Sequence, residues 1–205
     1  MNKNFLTGLP KEIQKLVNLL TRLPNFGPKS SERVALYFLK SESDFAKNVA
    51  NAILDLKNNV RLCRICQSFA SDELCSICED SSRDKSIICV VEDPLDVYAI
   101  ERGNFFGGVY HVLHGAIDPI NHIEPEELKI SELQIRVETE KISEIILATN
   151  PNAKGETTAI YLEKLFKNFP NLKITRIAYG LPRGAEIEFA DELTIKASIQ
   201  NRNVV

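Results

Sequence analysis

Long apolar runs are missing from this 205-residue sequence: uninterrupted ones such as Ile87 to Val91 reach only five or six residues, and a spanning helix needs about 20. No transmembrane segment is therefore expected. The first ten residues hold a single lysine and no apolar stretch of signal-peptide length, so a cytoplasmic location is the expectation. Low-complexity segments and internal repeats are also missing. Histidine is scarce, with three copies. His111 and His114 lie an odd number of positions apart on one expected strand, face opposite sides and cannot share a metal. His122 falls in a loop. Hydrophobic residues at 44% and charged residues at 26% are those of a globular chain of one ordinary domain or two small ones.

The net charge of -3 is small but unevenly spread. Residues 1 to 40 carry Lys3, Lys11, Lys15, Arg22, Lys29, Arg33 and Lys40 against Glu12 and Glu32, a balance of +5, whereas residues 86 to 205 sum to -6. A basic head on an acidic body suits contact with a polyanion, and a solvated helix face accounts for the same charges.

Three helices are expected in the head. Ile13, Leu16, Val17 and Leu20 follow Pro10 at helical spacing and form one stripe, with the helix stopping near Leu23. The breaker Leu23-Pro-Asn-Phe-Gly-Pro28 precedes a helix over Ser30 to Leu39, with Val34 and Phe38 on one face. A third helix runs from Phe45 to Lys57, with Phe45, Val49, Ile53 and Leu56 inward. If Gly27 caps the second helix and Pro28 opens it, the N–H groups of Lys29 and Ser30 lack intrahelical partners. With the helix dipole they suit one phosphate, and Lys29 and Arg33, four apart, share a face beside it. Such a contact would be independent of base sequence and strongly salt-dependent. An ordinary helical hairpin is the plainer reading.

Four of the five cysteines crowd into sixteen positions as Cys63-x-x-Cys66 and Cys75-x-x-Cys78. Two-residue gaps let each pair grip one edge of a tetrahedron, and four thiolates close the shell without a place for water, so structural zinc is expected. Cys89 lies inside an apolar strand and is read as a small core residue.

From Ser86 onward apolar strands alternate with helices. The strands expected are Ser86 to Val91, Val109 to Leu113, Glu144 to Asn150 and Leu172 to Tyr179, with helices at Pro94 to Glu101, Pro125 to about Glu140 and Thr157 to Phe169. That alternation implies an α/β fold with a parallel sheet and helices on both faces. A turn, an alternating piece with Ile187 and Phe189, and a short tail complete the chain. Residues just beyond the strand carboxyl ends are Glu92, Asp93, His114 and Asn150, with Asp96 one turn into the next helix. Glu92 with Asp96 could hold Mg²⁺, but the third strand offers an amide rather than an acid. The loop Ala153 to Thr158 resembles an anion cradle, yet lacks the Gly-Lys-Ser/Thr ending of a P-loop. A turn capped by Thr157 is the reading preferred.

Taken in order, these pieces resemble the bacterial RecR family of recombination mediators over nearly the whole chain. The resemblance is carried by Leu23 to Ser30 with Arg33, the four cysteines, Ile88 to Val97, Ala148 to Pro151 with Gly155-Glu156, and Arg176 to Gly184. It implies a helix-hairpin-helix head over 1–60, a zinc finger over 61–80, a Toprim domain over 84–180 and an assembly segment over 181–205. It implies no enzymatic activity, a ring-shaped homotetramer able to encircle DNA, and a cytoplasmic, nucleoid-associated protein. It further implies partnership with RecO, and in some bacteria RecF, in helping RecA replace single-strand-binding protein. The family's basic hairpin residues, which contact DNA, match Lys29 and Arg33, and its acids for RecO match Glu92 and Asp96. Asn25 stands where the family prefers Gly, and Asn tolerates a left-handed backbone. Asn150-Pro-Asn152 replaces the Asp-x-Asp of Toprim enzymes, so the alternative of a Mg²⁺-dependent nuclease or primase is disfavoured.

Overall fold

The computed structural model describes residues 8–202; Lys3 and the rest of the opening heptapeptide, and the last three residues, lie outside the described residues. The chain divides into two compact units between Asn59 and Val60.

The first unit is helical. Helix α1 (Lys11–Leu20) buries Val17 against Ala35 of α2 (Pro28–Lys40), with Ile13, Leu16 and Leu20 packed alongside. The expected stripe is therefore the packing face. α1 ends at Thr21, earlier than Leu23, where the Thr21 hydroxyl bonds back to the Val17 carbonyl at 2.7 Å. Helix α3 (Ser43–Asn59) departs further from expectation. It buries no residue, and Phe45, Ile53 and Leu56 are exposed. Phe45 does stack on Phe38 at 5.9 Å. Periodicity specifies an apolar stripe on a helix, not the surface that covers it.

The second unit opens with a small two-stranded ribbon, β1 (Arg61–Leu62) antiparallel to β2 (Phe69–Ala70), and the single turn α4 (Ser76–Glu79). A four-stranded parallel sheet follows, formed by β3 (Asp84–Val91), β4 (Gly108–Val112), β5 (Glu144–Leu147) and β6 (Lys173–Arg176) in the order β4-β3-β5-β6. Its helices are α5 (Pro94–Glu101), α6 (Ile130–Thr139) and α7 (Ala153–Phe166). The near-continuous apolar run of β3 is explained by burial on both faces. Ile88 and Val90 join a core with Leu133 of α6 and Leu162 and Phe166 of α7. Cys89 and Val91 pack with Val97 of α5, Tyr110 and Val112 on the other face. Cys89 is thus a core residue, and burial pushes its thiol up to about 12.

Three expectations shift. The stretch from Pro125 breaks into a 3-10 turn (Pro125–Glu127) and α6. Helix α7 starts at Ala153 rather than Thr157, because Asn152 is the cap. The region after Gly180 holds a 3-10 turn (Ile187–Phe189) and a further helix, α8 (Glu192–Gln200), where a short tail was expected.

His111 is fully buried on β4; its Nε2 lies 2.7 Å from the Lys129 carbonyl and its Nδ1 has no hydrogen-bond partner among the described residues. Desolvation holds the ring's pKa down at about 4 instead of 6.5. The folded state then binds fewer protons than the unfolded state below pH 6.5, so this group's contribution is full above 6.5 and is lost as pH falls toward 4. The loss amounts to about 3 kcal/mol. Urea denaturation at pH 7 and pH 4.5 should show a smaller acid loss for His111→Gln than for the parent; equal losses would remove His111 from the account.

Candidate metal centre and nucleic-acid interface

The four cysteine sulfurs lie within 4.8 Å of one another, and all four residues are buried. A tetrahedron with zinc–sulfur bonds of about 2.3 Å has edges near 3.8 Å, so the set fits one such ion. The Cys66 and Cys75 sulfurs are 3.5 Å apart, and the Cys75 N–H donates to the Cys63 sulfur at 3.4 Å. Hydrogen bonding within the cluster holds Cys75 well below the usual thiol range and pushes Cys66 and Cys78 above it. Four sulfurs this close cannot all be thiolates unless a cation balances them. The segment is also bound to the sheet. The Val112 N–H donates to the Cys66 carbonyl at 2.9 Å, His114 Nε2 meets the Gln67 carbonyl at 2.6 Å, and Ile77 packs under β3 and β4. His114 thus braces the cysteine segment instead of ligating metal, a role sequence spacing did not reveal.

In the helical unit Asn25 has φ 63, the left-handed conformation expected of it. Gly27 is the N-cap of α2 and Pro28 its first residue, with no side chain capping the end. Ser31 is the first to find an intrahelical acceptor, donating to the Gly27 carbonyl at 3.0 Å. The preceding N–H groups of Lys29 and Ser30 therefore remain available to an anion. Lys29 and Arg33 are exposed beside them. The start of α2 at Gly27 and Pro28 is where the sequence placed it.

At the sheet, β3 and β5 lie side by side with β3 continuing to β4 on the other edge, so the strand order reverses between them. Glu92 and Asn150 leave the carboxyl ends of those two strands and lock together. Glu92 Oε1 accepts from the Asn150 N–H and Oε2 from its side-chain Nδ2, both at 2.7 Å. Asp96 serves a reciprocal cap on α5: it accepts from the Asp93 N–H at 3.0 Å while Asp93 accepts from the Leu95 N–H at 2.8 Å. A Cβ on Gly155 would strike the Asn150 carbonyl and come within 2.6 Å of Glu92 Oε1, so only glycine lets α7 approach this corner.

The neighbouring loop is not an open cradle. Asn152 accepts the N–H groups of Lys154 and Gly155, and the Lys154 ammonium pairs with Asp118 at 2.5 Å. That ammonium holds the Asp118 carboxyl down at about 2. Thr157, expected as the cap, instead donates to the Ala153 carbonyl inside α7. Glu156 reaches β6, forming a two-pronged pair with Arg176 at 2.7 and 3.1 Å, and Arg176 also contacts the Tyr179 hydroxyl at 2.8 Å. Sequence motifs twenty residues apart are joined there.

Comparison with known proteins covers almost the whole chain. Residues 13–57 match the model of the RecR helix-hairpin-helix, 60–80 that of the RecR four-cysteine zinc finger domain, 86–178 that of the Toprim domain and 180–203 that of the RecR C-terminal region. A curated relative, Recombination protein RecR of Carboxydothermus hydrogenoformans, is 45% identical over 193 residues, covering 94% of this chain and 96% of that protein.

Proposed function

The chain belongs to the RecR family of recombination proteins and carries its zinc finger, and from that premise we propose that it is a DNA-binding mediator of recombinational repair that works without catalysis. On this reading it forms a ring-shaped clamp in the cytoplasm and acts with RecO, with RecF as a candidate second partner, to help load RecA on gapped or single-stranded DNA. Residues 1–60 hold DNA, 61–80 bind one structural zinc through Cys63, Cys66, Cys75 and Cys78, 84–180 meet partners and 181–205 assist assembly.

The observation that carries the reading is the uncapped start of α2, where free N–H groups stand beside Lys29 and Arg33. Phosphate is the ligand such an end suits, and contacts to phosphate carry no sequence information. Fluorescence anisotropy with labelled oligonucleotides of unrelated sequence tests it. Similar affinities that fall steeply with salt are expected, and no binding at about 50 mM salt would overturn the reading.

Self-association is supported by large apolar side chains left in water, among them Phe105, Phe189 and Leu193 at 78%, 79% and 77% exposure, and by the open face of α3. Light scattering is expected to give a multiple of the chain mass, and a strict monomer would undo the clamp.

The alternative of a Mg²⁺-dependent nuclease or primase meets a chemical obstacle. Asn150 presents N–H donors to both oxygens of Glu92 where magnesium needs oxygen ligands. Glu92 and Asp96 are read instead as a rigid acidic surface for RecO. Glu92→Ala with Asp96→Ala should weaken capture of RecO at least tenfold while leaving zinc content unchanged; undiminished capture would refute the assignment.

A further inference from the structure

The structure assigns a second phosphate-binding surface to the outer face of α1 and the turn that follows it, distinct from the Gly27–Pro28 helix start, with Lys11, Lys15 and Arg22 as its contacts. The inference rests on the DNA-binding reading above and extends it to residues that the hairpin geometry does not involve.

The packing of α1 sets the argument. Its core side is Ile13, Leu16, Val17 and Leu20, turned toward α2. At about 100° per residue, Lys11, Lys15 and Asn18 fall on the side diametrically opposite, and Arg22, in the turn just beyond the helix, continues that side. They line one shallow groove of about 430 Å³ together with Gln14 and Leu19, and among the described residues no acidic side chain lines it. Among the described residues none of the three cations forms an ion pair. Glu12, the one acid of α1, projects from a different side of the helix.

The chemistry of the face selects its partner. Three cations, an asparagine and a glutamine offer donors to a polyanion, while Leu19 alone gives too little apolar surface to enter a bilayer. From Lys11 to Arg22 the stripe spans about 16 Å, enough to follow several consecutive phosphates of one strand. Arg22 then stands five residues before Gly27, so the stripe leads along the chain into the hairpin that receives the next phosphate.

Anisotropy titrations of the full chain on single-stranded and duplex oligonucleotides between about 50 and 300 mM salt would test this. Each phosphate contact contributes about 0.9 on duplex, and about 0.7 on a single strand, to the slope of log affinity against log salt. Lys11→Ala with Lys15→Ala and Arg22→Ala should lower that slope by two to three and weaken binding more than tenfold, with an unchanged circular dichroism spectrum. Lys11→Arg with Lys15→Arg should keep the parent slope. A triple variant with the parent slope, while Lys29→Ala with Arg33→Ala lowers it, would overturn the α1 surface and leave the hairpin reading standing. A parent protein that binds neither oligonucleotide would overturn both.

Discussion

Lys29→Ala combined with Arg33→Ala is expected to weaken binding to DNA of any sequence by about 30-fold near 150 mM salt, two lost phosphate contacts at five- to sixfold each. The salt slope should fall by about two, so the deficit grows as salt is lowered. Both side chains are exposed and neither belongs to the α1–α2 packing of Val17 and Ala35, so the fold should be unaffected. Gly27 and Pro28 would still present the free N–H groups, which explains why residual binding is expected instead of none. Competition between oligonucleotides of different sequence checks the other half of the claim: the loss should be the same for each. A loss confined to one sequence would mean that these residues read bases, contrary to the phosphate geometry.

Cys63→Ser should have the largest effect on stability. Cys63 is fully buried, and its sulfur both belongs to the cluster and accepts the Cys75 N–H. Structural zinc in small Cys sites contributes on the order of 10 kcal/mol of apparent folding free energy, and opening the closed shell forfeits a large part of it. Elemental analysis should find one zinc per chain in the parent and well below half that in the variant after dialysis against a mild chelator. Loss should spread beyond residues 60–80, because the Cys66 carbonyl receives the Val112 N–H and Gln67 receives His114. Hydrogen exchange at Val112 should therefore accelerate in the variant. Full metal content with unchanged exchange would show that the four sulfurs are not the ligand set.

Much of this was readable in the sequence because it depends on near neighbours. The two Cys-x-x-Cys pairs carry their geometry within a few residues, and Asn25, Gly27 and Pro28 act on their own dihedral angles, so the hairpin followed from residue type. The doubly buried β3 showed itself as an unbroken apolar run. Where two residues could serve the same local purpose, the choice was not readable: Asn152 and Thr157 are both good caps, and Asn152 won because α7 begins where β5 delivers the chain beside Glu92.

By itself, then, the sequence determined the order of helices and parallel strands as far as β6, the tetrahedral cysteine set, the uncapped start of α2 and the lack of an acid at position 150. These rest on spacing and backbone preference, which act over a few residues. Only the tertiary structure decided that Asn150 binds both oxygens of Glu92 across 58 positions, that Lys154 is held by Asp118, that His114 braces the cysteine segment and that α3 is left uncovered. Each of those depends on which distant strands and helices lie side by side, and sheet order and register set that neighbourhood where local periodicity cannot.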